Sequence, residues 1–409
     1  MRFSLKPLLP AALGLLLRAA PALAAGAAPP AWPPAAAEPA LLLLDARELA
    51  AYKTAYQRGG AAETQAVKAL LAQAQQALQR GPYSVTKKTR LPPSGDKHDF
   101  QSQAPYFWPD PAKPDGKPYI QKDGLVNPEA KKQPDEQELA GVCRDVKTLA
   151  LAYYFGADER YAAHAARQLR AFFLDPATRM NPNLNYGQGI PGTTEGRSYG
   201  IIQTRHLVNI PDALALLAGS PSRDAALTTG LQSWFRQYTQ WLTTSPLGRK
   251  EGEADNNHGT FYDVQVVDFA LFTGDTALAR RVLRQQTLAR VPQQLAPDGA
   301  QPLELARTRP WNYTGMNLQG WAQLAVLARR MNVDLWHYRT PDGRGLQPAV
   351  AWFRPYLLRE KQMPKADVTP AGNSLVLAVY ARASREYPTL EADKVFALYP
   401  DFNRTPWAL

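Results

Sequence analysis

Apolar residues recur at three- and four-residue intervals along most of the chain, the spacing of one face of a helix. In "EQELAGVCRDVKTLALAYYFG" the positions Leu139, Val142, Val146, Leu149 and Tyr153 fall in this register, and Gly156 is expected to end the helix. "ADERYAAHAARQLRAFF" starts a second helix with Tyr161, Ala165, Leu169 and Phe172 on one face, closed by Pro176. The same helix–turn–helix unit returns in "LVNIPDALALLAGS" with "LQSWFRQYTQWLTT", and in "DVQVVDFALFTGDTALARRVLRQQTLARV" around a Gly274-Asp275 turn. "LQGWAQLAVLARRM" and "NSLVLAVYARASRE" continue it. Alternating strand patterns are few. Repeated helical hairpins predict an all-α protein of stacked pairs, a solenoid or a closed toroid.

The segments between the hairpins are long and rich in Pro, Tyr, Trp, Asn and Arg, as in "YFWPDPAKPDGKPYIQKDG" and "NPNLNYGQGIPGTTEGRSYG". Loops of this length in a compact domain are usually functional. Four loop stretches hold His98, His206 and His258, three of the five histidines, together with many aromatics that no helix face needs.

The N-terminus changes the picture of where the protein works. Arg2 and Lys6 precede an apolar run and Ala22-Leu23-Ala24, which predicts a secretory signal peptide over residues 1–24. Residues 25–40 read as an Ala/Pro-rich linker and residues 41–409 as a single domain. The expected location is the periplasm or the exterior. The formal charge is +11, and losing Arg2, Lys6 and Arg18 with the leader lowers it to +8. A basic exported protein fits an acidic polysaccharide or a membrane surface better than nucleic acid. Cys143, the one cysteine, excludes an internal disulfide and sits at an apolar helix position, where an inert buried thiol is expected. Glu251, Glu253 and Asp255 read as negative charge at a helix start. No histidine pair has metal-ligand spacing, and no metal or organic cofactor is expected.

The chemistry centres on "DNNHGTFYD" and "ELARTRPWNYTGMNLQGW". Eliminating across C4–C5 of a uronate needs three things: stabilisation of the C6 carboxylate, a base for the C5 proton, and an acid for the leaving oxygen. Asn256, Asn257, His258, Arg307, Arg309 and Tyr313 contain groups for each. Asn256 or Asn257 could equally be a helix N-cap.

These two motifs, with helical hairpins between and around them, resemble the alginate lyase family over roughly residues 90–380. The resemblance implies an incomplete (α/α) toroid and β-elimination of a 1,4-linked polyuronate. By position it implies that Asn257 neutralises the substrate carboxylate and His258 acts as base or stabiliser. Arg307 binds carboxylate and steadies a tyrosinate, and Tyr313 donates the proton and could also remove the one on C5. Arg309 competes with Arg307 for its role. "NNHGTFY" and "RTRPWNYTGMN" look closer to the branch that includes glucuronan lyases than to the mannuronan-specific members. Further substrate contacts are expected from Lys97, His98, Tyr106, Trp108, Arg197, Arg205, His206, Asn256, Arg309 and Trp311. Two rival readings remain. One is a non-catalytic polyuronate-binding or export scaffold, which would not need Tyr313. The other is an inverting glycoside hydrolase, which would need a carboxylate pair from Asp255, Asp263 or Glu304.

Overall fold

The computed structural model describes Met1 and residues 40–408, and the expected signal peptide and nearly all of the linker lie outside the described residues. From Ala40 onward the described chain is one compact unit. Its helices are α1 (Ala46–Gln57), α2 (Ala61–Ala77), α3 (Asp135–Gly156), α4 (Glu159–Leu169), α5 (Asn209–Leu216), α6 (Ala225–Thr244), α7 (Pro246–Gly252) and α8 (Asn257–Thr273). They continue with α9 (Thr276–Arg281), α10 (Leu288–Gln294), α11 (Pro302–Leu305), α12 (Pro310–Arg329), α13 (Leu346–Ala351), α14 (Arg354–Leu357), α15 (Ser374–Ala383) and α16 (Ala392–Ala397). Successive helices pack as antiparallel partners into an α/α toroid. α3 lies against α2, α4 and α5, and α8 against α6 and α12.

The periodicity of α3 is realised as packing: Leu139, Val142, Val146 and Leu149 are fully buried. Cys143 lies among them, and burial raises its thiol pKa. The helix ends where expected. Gly156 is its last helical residue, and Ala157 takes the left-handed conformation at φ 51°. Asp158 then caps α4 by accepting from the Arg160 N–H. At the Gly274 turn the glycine itself holds φ 85°, where its missing Cβ removes the penalty.

α8 is buried on every side, with Val264, Val266, Val267 and Phe269 all at zero exposure and Asp263, Gln265 and Asp268 equally enclosed. Its first turn therefore cannot drift relative to the core. At the other end of the domain Asp212 accepts hydrogen bonds from the backbone N–H groups of Leu42, Leu43 and Leu44, which ties the start of the described chain to α5.

Two short strand pairs carry the long loops. β1 (Gln101–Gln103) runs parallel to β4 (Tyr186–Gly189), and β2 (Phe107–Trp108) runs antiparallel to β3 (Ile120–Gln121). The first pair brings the loop after residue 100 beside the glycine-rich loop at 187–200. The second makes a short arm. No described helix is long and apolar enough to cross a membrane.

Candidate active site

A cleft of about 600 Å³ opens where the arm, the 186–205 segment and the first turns of α8 and α12 converge. Its walls include Tyr106, Glu136, Gln188, Arg197, Tyr199, Arg205, Asn256, Asn257, His258, Arg307 and Tyr313.

The start of α8 is fixed from three directions. Asn256 is the N-cap: its side-chain oxygen accepts the His258 N–H at 3.1 Å. Gln294 donates to the Asn256 carbonyl at 3.0 Å. Glu304 lies at the helix N-terminus, where an anion is favoured. It accepts the Asn257 backbone N–H at 2.7 Å and the Asn257 amide nitrogen through both carboxylate oxygens, at 2.9 and 2.8 Å. The two oxygens of one carboxylate share a single amide hydrogen of Asn257, which leaves the other hydrogen to a further acceptor, and its Oδ1 is buried with no hydrogen-bond partner. Beneath the turn, Arg290 binds Asp263 through Nε at 2.8 Å and donates to the carbonyls of Gly252 and Ala254. A Cβ on Gly259 would stand 2.2 Å from the Arg290 guanidinium and 2.1 Å from the Ala254 oxygen. That close approach is why a glycine follows the Asn-Asn-His triplet.

His258 is held by Glu251, whose Oε1 lies 2.6 Å from Nδ1. Glu251 is 1% exposed, so it belongs to this contact rather than to a solvated helix start. With a proton on Nδ1 donated to the carboxylate, Nε2 keeps its lone pair. The edge of Tyr199 packs on the imidazole with ring centroids 4.3 Å apart.

Tyr313 sits in the first turn of α12. Asp367 anchors that turn by accepting the N–H groups of Trp311 and Asn312 at 2.9 and 3.1 Å. The Tyr313 hydroxyl is 2.8 Å from that of Tyr106. Burial first, and the Tyr106 hydroxyl second, push the Tyr313 pKa above its ordinary value, while Arg307 pulls the other way. The Arg307 guanidinium lies over the Tyr313 ring, 4.0 Å from its centroid, and pairs with Asp123 at 2.7 Å. On the facing wall Arg197 stacks on Phe107 and Tyr199 and donates to Gln188 at 2.7 Å, leaving its Nε without a partner. Arg205 donates to the Ile202 carbonyl at 3.0 Å, and burial lowers its pKa. The lining carries three arginines and one carboxylate, Glu136.

Several nominated residues stand elsewhere. Arg309 is the N-cap position of α12 and Trp311 packs on Phe353 and Tyr356, away from the cleft. The Lys97 carbonyl accepts from Lys88 at 2.7 Å, and His98 Nδ1 is 2.6 Å from the Arg179 carbonyl; both shape a loop outside the cleft walls. Trp108 is on the arm, donating to the Leu125 carbonyl at 3.0 Å beneath Lys122. His206 does not line the cleft. Burial, then the charges of Arg205 and Lys147, lowers its pKa from 6.5 to about 3. A histidine kept neutral in the fold but free to protonate when unfolded costs stability as pH falls below 6.5. Denaturant midpoints should therefore drop on acidification through that value, and less steeply in His206→Gln. Equal slopes would remove His206 from the account.

Residues that sequence patterns missed are Glu251, Glu304 as the holder of Asn257, Asp123, Glu136, Gln188, Tyr199 and Arg290. Of the carboxylates that a hydrolase would need, Asp263 is buried against Arg290, Glu304 is buried against Asn257, and Asp255 is not on the cleft wall. Among the described residues no cluster of His, Cys, Asp and Glu could hold a metal ion.

A toroid of helix pairs with a basic cleft carrying a buried tyrosine and a carboxylate-held histidine belongs to the polysaccharide lyases. The alginate lyase family model matches residues 84–363, and the chain belongs to that family. It is similar to an alginate lyase from Bacteroides ovatus, with 37% identity and a TM-score of 0.83 over 90% of this chain and 97% of that one. Alginate lyase A1-III from Sphingomonas species A1 shares the fold at 18% identity, with a TM-score of 0.50 over 80% of this chain and 88% of that one. A Tyr-to-Phe variant of that lyase, complexed with a tetrasaccharide, gives a TM-score of 0.51 at 18% identity over 83% and 86% of the two chains. A search of curated proteins finds no match.

Proposed function

We propose that this polysaccharide lyase, exported behind residues 1–24, cleaves a 1,4-linked polyuronate by β-elimination, leaving a 4,5-unsaturated uronate at the new end. Mannuronate-rich alginate and glucuronan are the substrates that fit. The observation that carries this reading is the pairing of a protonated phenol, Tyr313, with an imidazole whose Nδ1 is engaged by Glu251, both on one arginine-lined cleft.

The roles follow from the protonation states. A raised Tyr313 pKa keeps the hydroxyl protonated at neutral pH, which suits the acid that delivers a proton to the departing O4. The same shift disfavours tyrosinate, so His258 Nε2 is assigned the C5 proton. As that proton leaves, negative charge spreads into the C6 carboxylate. Arg197, Arg205 and Arg307 are the cations that stabilise it, in a site where partial exclusion of water strengthens each contact. Asn257, oriented by Glu304, adds the amide hydrogen that Glu304 does not take to the same C6 carboxylate. Electron pairs move from C5–H into C4=C5 and out to O4, so no external oxidant or reductant enters.

The direct test is near-ultraviolet absorbance of unsaturated product from a panel of polyuronates. Growth of that band with alginate or glucuronan is expected; reducing ends without it would mean hydrolysis. Binding should also be salt-sensitive, because a polyanion meets three arginines whose field is screened beyond about 8 Å at physiological ionic strength. The KM for polymer should rise steadily with added salt, and a flat response would contradict charge-led capture.

A further inference from the structure

The geometry points to a second binding site for acidic sugar, on the other side of the strand pair that walls the catalytic cleft. A separate cavity of about 400 Å³ is lined by Arg90, Lys117, Lys132, Gln101, Tyr119 and the 189–195 turn. Gln188 faces the catalytic cleft and the next residue, Gly189, faces this one, so the two cavities share a thin wall. None of the residues that the elimination needs reaches it.

Three features make it a built site rather than a surface dent. The first is charge. Arg90, Lys117 and Lys132 form no ion pair among the described residues. The cavity's carboxylates are Glu195 on the rim and Glu129, which accepts the Tyr119 hydroxyl at 2.8 Å. The second is an unmet acceptor: Gln101 is 6% exposed and its Oε1 has no hydrogen-bond partner. Leaving a buried acceptor unpaired costs about 1–3 kcal/mol, which a donor from a ligand would recover. The third is a rigid wall. The Tyr119 N–H donates to the Pro191 carbonyl at 3.1 Å, and at Gly192 (φ 79°) a Cβ would come within 2.9 Å of the Pro118 Cα.

These demands select the ligand. Unpaired cations call for carboxylates, and an orphaned carbonyl oxygen calls for a hydroxyl donor. A uronate oligosaccharide brings both on neighbouring atoms, whereas a fully ionised inorganic anion satisfies the cations and leaves Gln101 unmet. The site would hold a stretch of polyuronate that is not being cleaved. It rests on the polyuronate reading only for the identity of the sugar.

The test is calorimetric titration of the full chain with a mannuronate tetrasaccharide at low salt. Tyr313→Phe serves as the background, and the same chain also carrying Arg90→Ala and Lys132→Ala is the comparison. Both added substitutions are at solvent-exposed positions, so the fold should survive, which circular dichroism checks. The expected result is the loss of one binding event per chain with the double substitution, leaving the cleft event in place. An unchanged number of events overturns the second site. Failure of the elimination reading would show separately, as absence of unsaturated product from the unsubstituted enzyme.

Discussion

Tyr313→Phe is expected to lower turnover by about 10²–10⁴-fold, the usual worth of a positioned general acid. The ring still fills its buried volume in the first turn of α12, and removing one hydroxyl leaves the Arg307 guanidinium over its face. Polymer affinity should change little, because the cleft arginines remain. Tyr106 loses its 2.8 Å partner and turns to water, a small effect beside the loss of the proton. Turnover and binding measured on the same folded preparation decide the matter. Wild-type turnover in that variant would reassign the acid, and loss of binding with turnover per bound substrate intact would make Tyr313 a contact rather than a proton donor.

The second large effect concerns stability. Arg290→Ala leaves the Asp263 carboxylate buried and uncompensated and strips the donors from the Gly252 and Ala254 carbonyls. Removing one partner of a buried pair costs about 3–5 kcal/mol. Asp263 is at zero exposure, so water cannot substitute. Because the same guanidinium braces the approach to Asn257 and His258, residual folded enzyme should also lose activity. Chemical denaturation of Arg290→Ala beside Arg290→Ala/Asp263→Ala tests this: the double variant should recover part of the loss. A single variant as stable as the parent would show that the pair contributes nothing.

The helical pairs were legible because each presents an apolar stripe at helical spacing, as Leu139, Val142, Val146 and Leu149 do in α3. Asn256 to His258 and Arg307 to Tyr313 were legible because each set lies within a few residues. Their pairings with distant residues were not. Tyr106 lies 207 positions before Tyr313, Asp123 184 before Arg307, and Glu304 47 beyond Asn257, and nothing local marks such pairings. Nearness in sequence also misled. Trp311 precedes Tyr313 by two residues, and on a helix such neighbours do not share a face. Tyr313 meets the cleft while Trp311 turns to Phe353. Arg309 stands at the N-cap position of α12, makes no side-chain cap and is not among the residues of the cleft wall. Asn256 shows the opposite case, where the plain capping role and a place on the cleft wall belong to one residue. The end of α3 at Gly156 was legible, although the left-handed residue that follows is Ala157.

Cys143 has a practical side. It is fully enclosed in α3, and burial holds its thiol in the protonated form that alkylating reagents attack poorly. The native chain is therefore silent to maleimides. A cysteine placed at an exposed arm position such as Leu125 would take a fluorophore alone, with no background to engineer away. The arm could then be followed optically as polymer enters and leaves.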